Sequence, residues 1–238
     1  MANPFDGLEW AEQFPVSEVF GPTIQGEGPF MGRPCYFVRF GGCNLSCSWC
    51  DTPYSTGQHG IPLSTVPKLT IKEVVQQIPG DSLVILTGGE PLMHQRRNWW
   101  TLLLNQLKKK GCSIHVETNG TLTPTRSTDI AVSHYSVSPK IGVEMVNKRH
   151  KPTLAQWGEY RHKACLKVVV TENVNTDFIH DLAVGHGFSP SDIWLMPEGA
   201  TAEELAPRWK PVADTAAKNG WNASHRLHAL AWGDSKGH

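Results

Sequence analysis

Three cysteines on one short stretch form the most informative pattern in this chain. Cys43, Cys47 and Cys50 stand as C-x3-C-x2-C, with Trp49 directly before the last of them. A cluster that serves only in electron transfer is normally held by four cysteine thiolates. Three thiolates on one loop can instead hold three irons of a 4Fe–4S cluster and leave the fourth iron open. The spacing therefore predicts a cluster that binds a ligand and takes part in chemistry.

Two other uses of the three cysteines have to be weighed against this one. A structural zinc site needs four protein ligands, usually from two separated pairs, and no such spacing continues here. A disulfide framework is typical of small secreted proteins, whereas 238 residues can bury a core and no secretory segment opens the chain. A zinc-stabilised binding module stays the alternative from another class. Cys35, Cys112 and Cys165 stand alone in apolar runs, which predicts small buried side chains.

The composition is typical of a globular enzyme of the cytoplasm. Lys plus Arg and Asp plus Glu both number 22, so no long-range field attracts nucleic acid or anionic lipid. No apolar run approaches the roughly 18 residues that a membrane span requires. We therefore expect a cytoplasmic location, with no nucleic-acid partner and no membrane partner.

Six short runs rich in β-branched residues are the predicted strands. They cover residues 35–40, 83–87, 113–118, 135–138, 165–170 and 193–196. The runs are too continuously apolar for a sheet with one face in water, which indicates parallel strands covered by helices. Six such β/α units fall short of the usual eight. We predict an α/β fold, a partial (β/α)6-like TIM barrel in a single domain.

Helix signals lie between the predicted strands. Two capping boxes, Thr70-x-x-Glu73 and Thr201-x-x-Glu204, predict the starts of helices. Leucines within residues 102–107 form the apolar face of another helix. Pro207 and Pro211 are expected to kink or divide the helix that begins after Thr201.

Small or polar residues follow most of the predicted strands. The cysteines follow the first strand, and the other segments are residues 87–91, 117–120, 138–140 and 196–199. In parallel α/β sheets, ligands bind at the carboxyl ends of the strands. Each segment alone is typical of a turn, but their shared location predicts one binding site. Gly88 and Gly89 would let the backbone approach a ligand closely.

Four segments carry a resemblance to a known family. Residues 18–28, 37–45, 50–52 and 226–233 read EVFGPTIQGEG, FVRFGGCNL, CDT and RLHALAWG. With the cysteine spacing and the Gly-Gly-Glu-Pro after the second strand, they resemble the radical S-adenosylmethionine (SAM) superfamily. More narrowly, they resemble the 7-carboxy-7-deazaguanine synthase family. The resemblance implies one radical SAM domain over residues 1–238, with a substrate loop at about 17–34, a core at about 35–200 and a C-terminal segment at about 201–238.

The resemblance also implies three cofactors: a 4Fe–4S cluster, SAM and Mg2+. Cys43, Cys47 and Cys50 would hold the cluster, and Thr52 would bind Mg2+ as a hard oxygen ligand. The residues implied for SAM are Trp49, Gly89, Glu90, Ser138, Pro139, Lys140, Met196, Pro197, Glu198 and Gly199. Glu90 would orient the amino group of SAM.

The implied reaction converts 6-carboxy-5,6,7,8-tetrahydropterin to 7-carboxy-7-deazaguanine with loss of ammonia, as in queuosine-type biosynthesis. A reduced cluster would split SAM, and the resulting radical would remove the hydrogen at C6 of the pterin. The residues implied for substrate are Ile24, Gln25, Gly26, Arg39, Thr87 and His228. An external one-electron donor of flavodoxin or ferredoxin type and a homodimer are implied as well. No general acid or base is assigned; Glu117 and Lys140 are candidates by location only.

Some assignments keep an alternative at this point. The planar fork of Arg39 suits a substrate carboxylate, but the residue could form a surface salt bridge on an edge strand. His228 could be a structural histidine. Among enzymes, an activating enzyme that places a glycyl radical on a partner protein shares the cysteine spacing. That alternative would need a broad docking face for the partner protein. It would not need Arg39 or the loop at residues 24–28.

Overall fold

One mixed sheet organises the protein. The computed structural model describes residues 11–57, 61–140, 154–170, 175–233, 235 and 237. The strands are β1 Gln13–Ile24, β2 Pro34–Phe40, β3 Lys68–Thr70, β4 Leu83–Gly88, β5 Ser113–Thr118, β6 His134–Val137, β7 Ala164–Val170, β8 Ile193–Pro197 and β9 Asn222–Ala223. Their order is β3-β1-β2-β4-β5-β6-β7-β8-β9.

The six predicted strands are confirmed as β2 and β4 to β8. They pair in parallel from β2 through β8, and the two-residue strand β9 extends the parallel part beside β8. This is the partial barrel that the apolar runs predict. Parallel pairing brings the carboxyl ends of these strands to one edge, where the cysteines and the glycine-rich turn also lie.

The first strand corrects the sequence analysis, which expected a loop at about residues 17–34. Residues 17–24 belong to β1, so only the part after Ile24 is a loop. β1 pairs antiparallel with β2 on one side and with β3 on the other. Phe14 and Val16 are buried and drive this pairing, and the Phe14 ring stacks on Trp99 with centroids 4.1 Å apart. Since β2 lies between β1 and β4, Arg39 does not lie on an edge strand.

The helices of the described part cover the sheet. They are α1 Pro53–Thr56, α2 Ile71–Gln76, α3 Asn98–Lys109, α4 Arg126–Ala131, α5 Thr176–Gly185, α6 Ala202–Asn219 and α7 Leu227–Trp232. Short 3-10 helices occur at Gly28–Phe30, Leu63–Thr65, Pro91–His94, Leu154–Lys163 and Pro190–Asp192. Both predicted capping boxes are confirmed, at the starts of α2 and α6.

The expectation that two prolines divide α6 is wrong. The helix runs unbroken for 18 residues with Pro207 and Pro211 inside it. Each proline removes a single backbone donor, so the other hydrogen bonds of the helix persist. Leu205, Val212 and Ala216 are buried on its inner face and hold the helix against the sheet.

Alternation along the strands separates the core from the site. On β5, Ile114 and Val116 are fully buried in the apolar core, which α3 covers with residues such as Trp100 and Leu103. Glu117 faces the other way and lines a cavity. This is the two-residue period of a strand, with a different environment on each face. None of the helices in the described residues combines the length and the apolar character that a membrane crossing needs.

Candidate active site

A cavity of ≈ 440 Å³ opens at the carboxyl ends of the parallel strands. Most of the residues that the sequence predicts for a site line it. They are Ile24, Gln25, Arg39, Cys43, Cys47, Trp49, Cys50, Thr52, Thr87, Gly89, Ser138, Lys140, Met196, Glu198, Gly199 and His228. Four predicted residues do not form its wall: Gly26, Glu90, Pro139 and Pro197. Sixteen of the predicted residues, from distant parts of the sequence, thus line a single cavity.

The cysteine loop is fixed by backbone contacts with the segment that follows it. The Gly42 amide donates to the Ser55 carbonyl oxygen at 2.7 Å, and the Cys43 amide donates to that of Thr56 at 3.1 Å. Ser55 and Thr56 belong to α1 and are buried. The short helix α1 therefore holds the loop that carries the three thiols.

The three thiols fit a cluster of several irons. All six cysteines lie in the described part of the chain, and none of them forms a disulfide. Within that part, no three His, Cys, Asp or Glu side chains gather around a point that would hold a single ion. Burial raises the pKa of the Cys43 thiol to about 12, and burial also raises that of Cys47. The Cys43 sulfur accepts a hydrogen bond from the Leu45 amide at 3.4 Å, a contact suited to a metal-bound thiolate.

The turn after β4 packs directly on the cysteine loop. A Cβ atom on Gly89 would lie 1.9 Å from the Gly42 carbonyl oxygen and 3.0 Å from the Cys43 amide nitrogen. The Glu90 amide donates to the same carbonyl oxygen at 2.8 Å. Only glycine at position 89 leaves room for this approach, so the two loops form one unit.

Glu90 lies behind the cavity wall rather than on it. Its carboxylate accepts hydrogen bonds from the Leu92 amide, the Thr118 hydroxyl and the Asn119 amide at 3.0, 2.8 and 2.7 Å. Burial raises the pKa of Glu90 to about 7, although these hydrogen bonds lower it. The side chain joins the turn after β4 to the turn after β5.

Asn119, which the sequence analysis grouped only with its turn, continues this link to the cysteines. Its side-chain amide donates to Asn44 Oδ1 at 2.9 Å and lies 4.0 Å from the Cys43 sulfur. Its own oxygen accepts from the Thr121 amide and hydroxyl at 3.0 and 2.6 Å. Asn44 and Thr121 therefore fix the orientation of the Asn119 side chain beside Cys43.

Arg39 points along the cavity from β2 and is held on two sides. Its Nε donates to Glu18 Oε1 at 2.6 Å, and the Tyr54 hydroxyl donates to the same oxygen at 2.8 Å. Its guanidinium carbon lies 5.8 Å from the centre of the Phe20 ring. The salt bridge weighed as an alternative does form, but it is mostly buried and leaves Arg39 on the cavity wall. With one of its five N–H groups occupied by Glu18, the guanidinium retains donors for a ligand.

The sequence analysis named Glu117 as a candidate but missed Lys167, which forms a largely buried group of charges with Glu117 and Glu27. Lys167 on β7 pairs with Glu27 at 2.5 Å and lies 3.6 Å from Glu117. Gln25 and Thr87 both donate to Glu117, at 3.2 and 2.9 Å. Burial lowers the pKa of Lys167, but the two carboxylates outweigh burial and hold the pKa above its usual range. The signal was present, since Lys167 is a charged residue within an apolar strand, as Arg39 is.

The C-terminal segment closes this side of the cavity. Burial raises the pKa of Glu27, but the charges of Lys167 and Arg226 outweigh it and keep the carboxyl ionised. His228 Nε2 lies 3.9 Å from Glu27 Oε1, and burial lowers the pKa of His228, which favours the neutral ring. A Cβ atom on Gly26 would lie 1.8 Å from His228 Nδ1, so this glycine lets the ring approach the loop after β1.

Comparison with known proteins gives the family. Residues 37–196 match the Radical SAM superfamily. The chain is 34% identical over 222 residues to a 7-carboxy-7-deazaguanine synthase from Pyrobaculum aerophilum, covering 93% of this chain and 96% of that protein. A 7-carboxy-7-deazaguanine synthase from Bacillus subtilis is 28% identical, over 95% of this chain and 99% of its own length.

The chain belongs to the 7-carboxy-7-deazaguanine synthase family of the radical SAM superfamily. The fold agrees, because the crystal structure of QueE from Escherichia coli matches with a TM-score of 0.60 at 23% identity, covering 91% of this chain and 95% of that one. Radical SAM proteins use a 4Fe–4S cluster and SAM, which accounts for three cysteines rather than four. The predicted resemblance to this family is confirmed.

Proposed function

We propose that the protein is a lyase that converts 6-carboxy-5,6,7,8-tetrahydropterin to 7-carboxy-7-deazaguanine with loss of ammonia. Family membership supports this activity. The observation that carries it here is the pairing, in one cavity, of the three cluster cysteines with Arg39. A small carboxylated substrate suits that space, whereas a glycyl-radical activating enzyme would have to admit a segment of a partner protein.

The cysteine side of the cavity is the proposed site of the cluster and SAM. Cys43, Cys47 and Cys50 would hold the cluster, which, with SAM bound, supplies the radical chemistry. The chain itself would bind and orient SAM through the segments that end β4, β6 and β8. The residues proposed for these contacts are Trp49, Gly89, Ser138, Lys140, Met196, Glu198 and Gly199, with Pro139, Pro197 and Glu90 behind them. The Lys140 ammonium lies 5.4 Å from the centre of the Trp49 ring and donates to Ser138 at 2.9 Å, which fixes this wall.

Arg39 is the proposed partner of the pterin carboxylate. A guanidinium matches a carboxylate with two parallel hydrogen bonds. Its orientation is supported by Glu18, which accepts from the Arg39 Nε and is itself held by the Tyr54 hydroxyl. Thr87, beside Arg39 on the neighbouring strand, would contact the ring together with Gln25, His228 and the backbone of Ile24 and Gly26.

A magnesium ion near Thr52 is the proposed third cofactor. The Thr52 hydroxyl lies 3.9 Å from the Cys50 sulfur, and the residue lines the cavity beside the cluster loop. Mg2+ usually keeps several waters and takes one or two protein oxygens together with substrate oxygens. The Thr52 hydroxyl and the pterin carboxylate fit that pattern. An external flavodoxin- or ferredoxin-like donor, a homodimer and a cytoplasmic location stay predictions.

Anaerobic turnover tests the proposal. The reconstituted protein is incubated with the tetrahydropterin, SAM, a reductant and Mg2+, and the products are identified by mass. We expect 7-carboxy-7-deazaguanine, strongly reduced product when EDTA removes Mg2+, and none from Cys47→Ala. The matched control Cys112→Ala alters a buried cysteine away from the loop and should retain product formation. Formation of 5′-deoxyadenosine without any deazapurine would show that the protein cleaves SAM but that the proposed substrate is wrong.

A further inference from the structure

Arg226 contacts three separate segments that border the cavity. Its Nε donates to Glu27 Oε1 at 2.9 Å, its Nη1 to the Gly199 carbonyl oxygen at 2.5 Å, and its Nη2 to Asp51 Oδ2 at 2.9 Å. These partners belong to the loop after β1, the loop after β8 and the cysteine loop. One guanidinium therefore joins segments that are far apart in the sequence.

The contacts of Arg226 differ in strength. The side chains of Arg226 and Glu27 are 13% and 12% exposed, whereas that of Asp51 is 58% exposed. An exposed ion pair contributes little, while a buried charge that loses its partner is strongly unfavourable. The contacts of Arg226 that contribute most are therefore those with Glu27 and Gly199. The Leu227 amide also donates to the Gly26 carbonyl oxygen at 3.0 Å. Lys167 binds the other oxygen of the Glu27 carboxylate.

The roles proposed above put SAM beside residues 196–199 and the pterin beside residues 24–26. Arg226 lies between these two segments and contacts the first directly and the second through Glu27. We propose that Arg226 is a positioning residue that couples the two binding events. SAM bound beside Gly199 holds Arg226 in place, and Arg226 holds the loop that receives the pterin. This inference rests on the proposed function, and the coupling is reciprocal, so the pterin tightens SAM binding by the same factor.

Equilibrium binding tests the coupling without turnover, because no reductant is added. The dissociation constant of the tetrahydropterin is measured by calorimetry on the anaerobic, cluster-loaded protein, with and without saturating SAM. We expect SAM to tighten pterin binding by about fivefold or more in the unaltered protein. In Arg226→Lys the two constants should agree within about twofold, since an ammonium is a point charge that cannot match three separate partners.

Arg208→Lys is the matched control. Arg208 on α6 donates to the Glu198 carbonyl oxygen at 2.7 Å and pairs with the Glu198 carboxylate, so it holds the same loop after β8. This variant should retain the effect of SAM on pterin binding. Equal loss of coupling in both variants would assign the effect to the loop after β8 and overturn the role of Arg226. Coupling that survives in Arg226→Lys would overturn it as well.

Hydrogen–deuterium exchange on the unaltered protein gives a second readout in case Arg226→Lys does not fold. SAM alone should slow exchange of the amides of residues 25–32 severalfold. Unchanged exchange there would overturn the inference. The two proposals fail separately: coupled binding without deazapurine formation would contradict only the proposed function, and deazapurine formation without coupling would contradict only the role of Arg226.

Discussion

At the scale of single residues, the cluster end of the cavity depends on contacts that leave no space for an added atom. The turn after β4 approaches the cysteine loop so closely that a methyl group at position 89 would meet backbone atoms of Gly42 and Cys43. A backbone clash of this kind cannot be relieved by rotating a side chain. The position of Cys43 thus depends on a residue that has no side chain at all.

Gly89→Ala should displace the cysteine loop and impair cluster assembly. Inserting a methyl group into a packed site typically costs about 1–3 kcal/mol. We expect that loss in the free energy of unfolding and a markedly lower iron content after reconstitution. Gly185→Ala is the control, because nothing lies within 4 Å of a Cβ at that position. Normal iron incorporation in Gly89→Ala would show that the two loops are not packed as described.

Glu90 should make the stability of the cluster-free protein depend on pH. Burial raises its pKa from 4.5 to about 7, so between these values the folded protein holds a proton that the unfolded chain has lost. The folded state then binds more protons, and its stability falls as the pH rises through this window. The fall should be on the order of 1–3 kcal/mol. Urea unfolding at pH 5 and pH 8 measures it.

Glu90→Gln provides the comparison for that pH dependence. Glutamine does not titrate, so the difference in stability between pH 5 and pH 8 should be smaller in the variant than in the unaltered protein. Equal pH dependence in both proteins would mean that Glu90 does not carry a raised pKa.

At the level of secondary-structure elements, β1 borders the side of the cavity that is proposed for the substrate. The register places Glu18 opposite Arg39, which is why the carboxylate reaches the Arg39 Nε. The strand is anchored in the core at its start by Phe14, which is 1% exposed and stacks on Trp99. Packing of Phe14 at the start of β1 thus supports the orientation of Glu18 in the middle of the strand.

Phe14→Ala should weaken this anchor. Truncation of a buried phenylalanine typically costs about 3–5 kcal/mol. We expect a loss of that size in the free energy of unfolding, measured with urea, and a higher KM for the pterin as Glu18 loses its fixed place. Phe14→Leu keeps most of the apolar volume and should lose much less. A loss below about 1 kcal/mol in Phe14→Ala would contradict the anchoring role.

The strands that form the inner sheet could be predicted from sequence because they are largely buried and read as short runs rich in apolar, β-branched residues. β1 could not, because Pro15, Ser17 and Glu18 interrupt its apolar pattern while tertiary pairing with β2 and β3 determines the strand. The helix α6 was expected to kink or divide at its prolines, but it runs undivided, because its buried face holds it against the sheet. Local signals thus predict the elements whose burial is uniform and fail where packing outweighs them.

At the level of the whole molecule, the cavity combines residues of the Radical SAM core with residues from both sides of it in the sequence. The Radical SAM match covers residues 37–196 and contains the cysteines and most of the residues proposed for SAM, while Glu198 and Gly199 lie just beyond it. Glu27, Arg226 and His228 lie outside that range and line the side proposed for the pterin, together with Arg39 and Thr87 from within it. The family motifs led the sequence analysis to His228 but not to Lys167 or Arg226, whose roles arise only from ion pairs between distant segments.

The proposed chemistry requires that three thiolates hold a cluster with one open iron. Metal analysis of the protein, purified and kept without oxygen, tests it most directly. We predict roughly four irons per chain after reconstitution, a visible absorption that dithionite bleaches, and loss of both in Cys47→Ala. One zinc per chain with negligible iron would contradict the account.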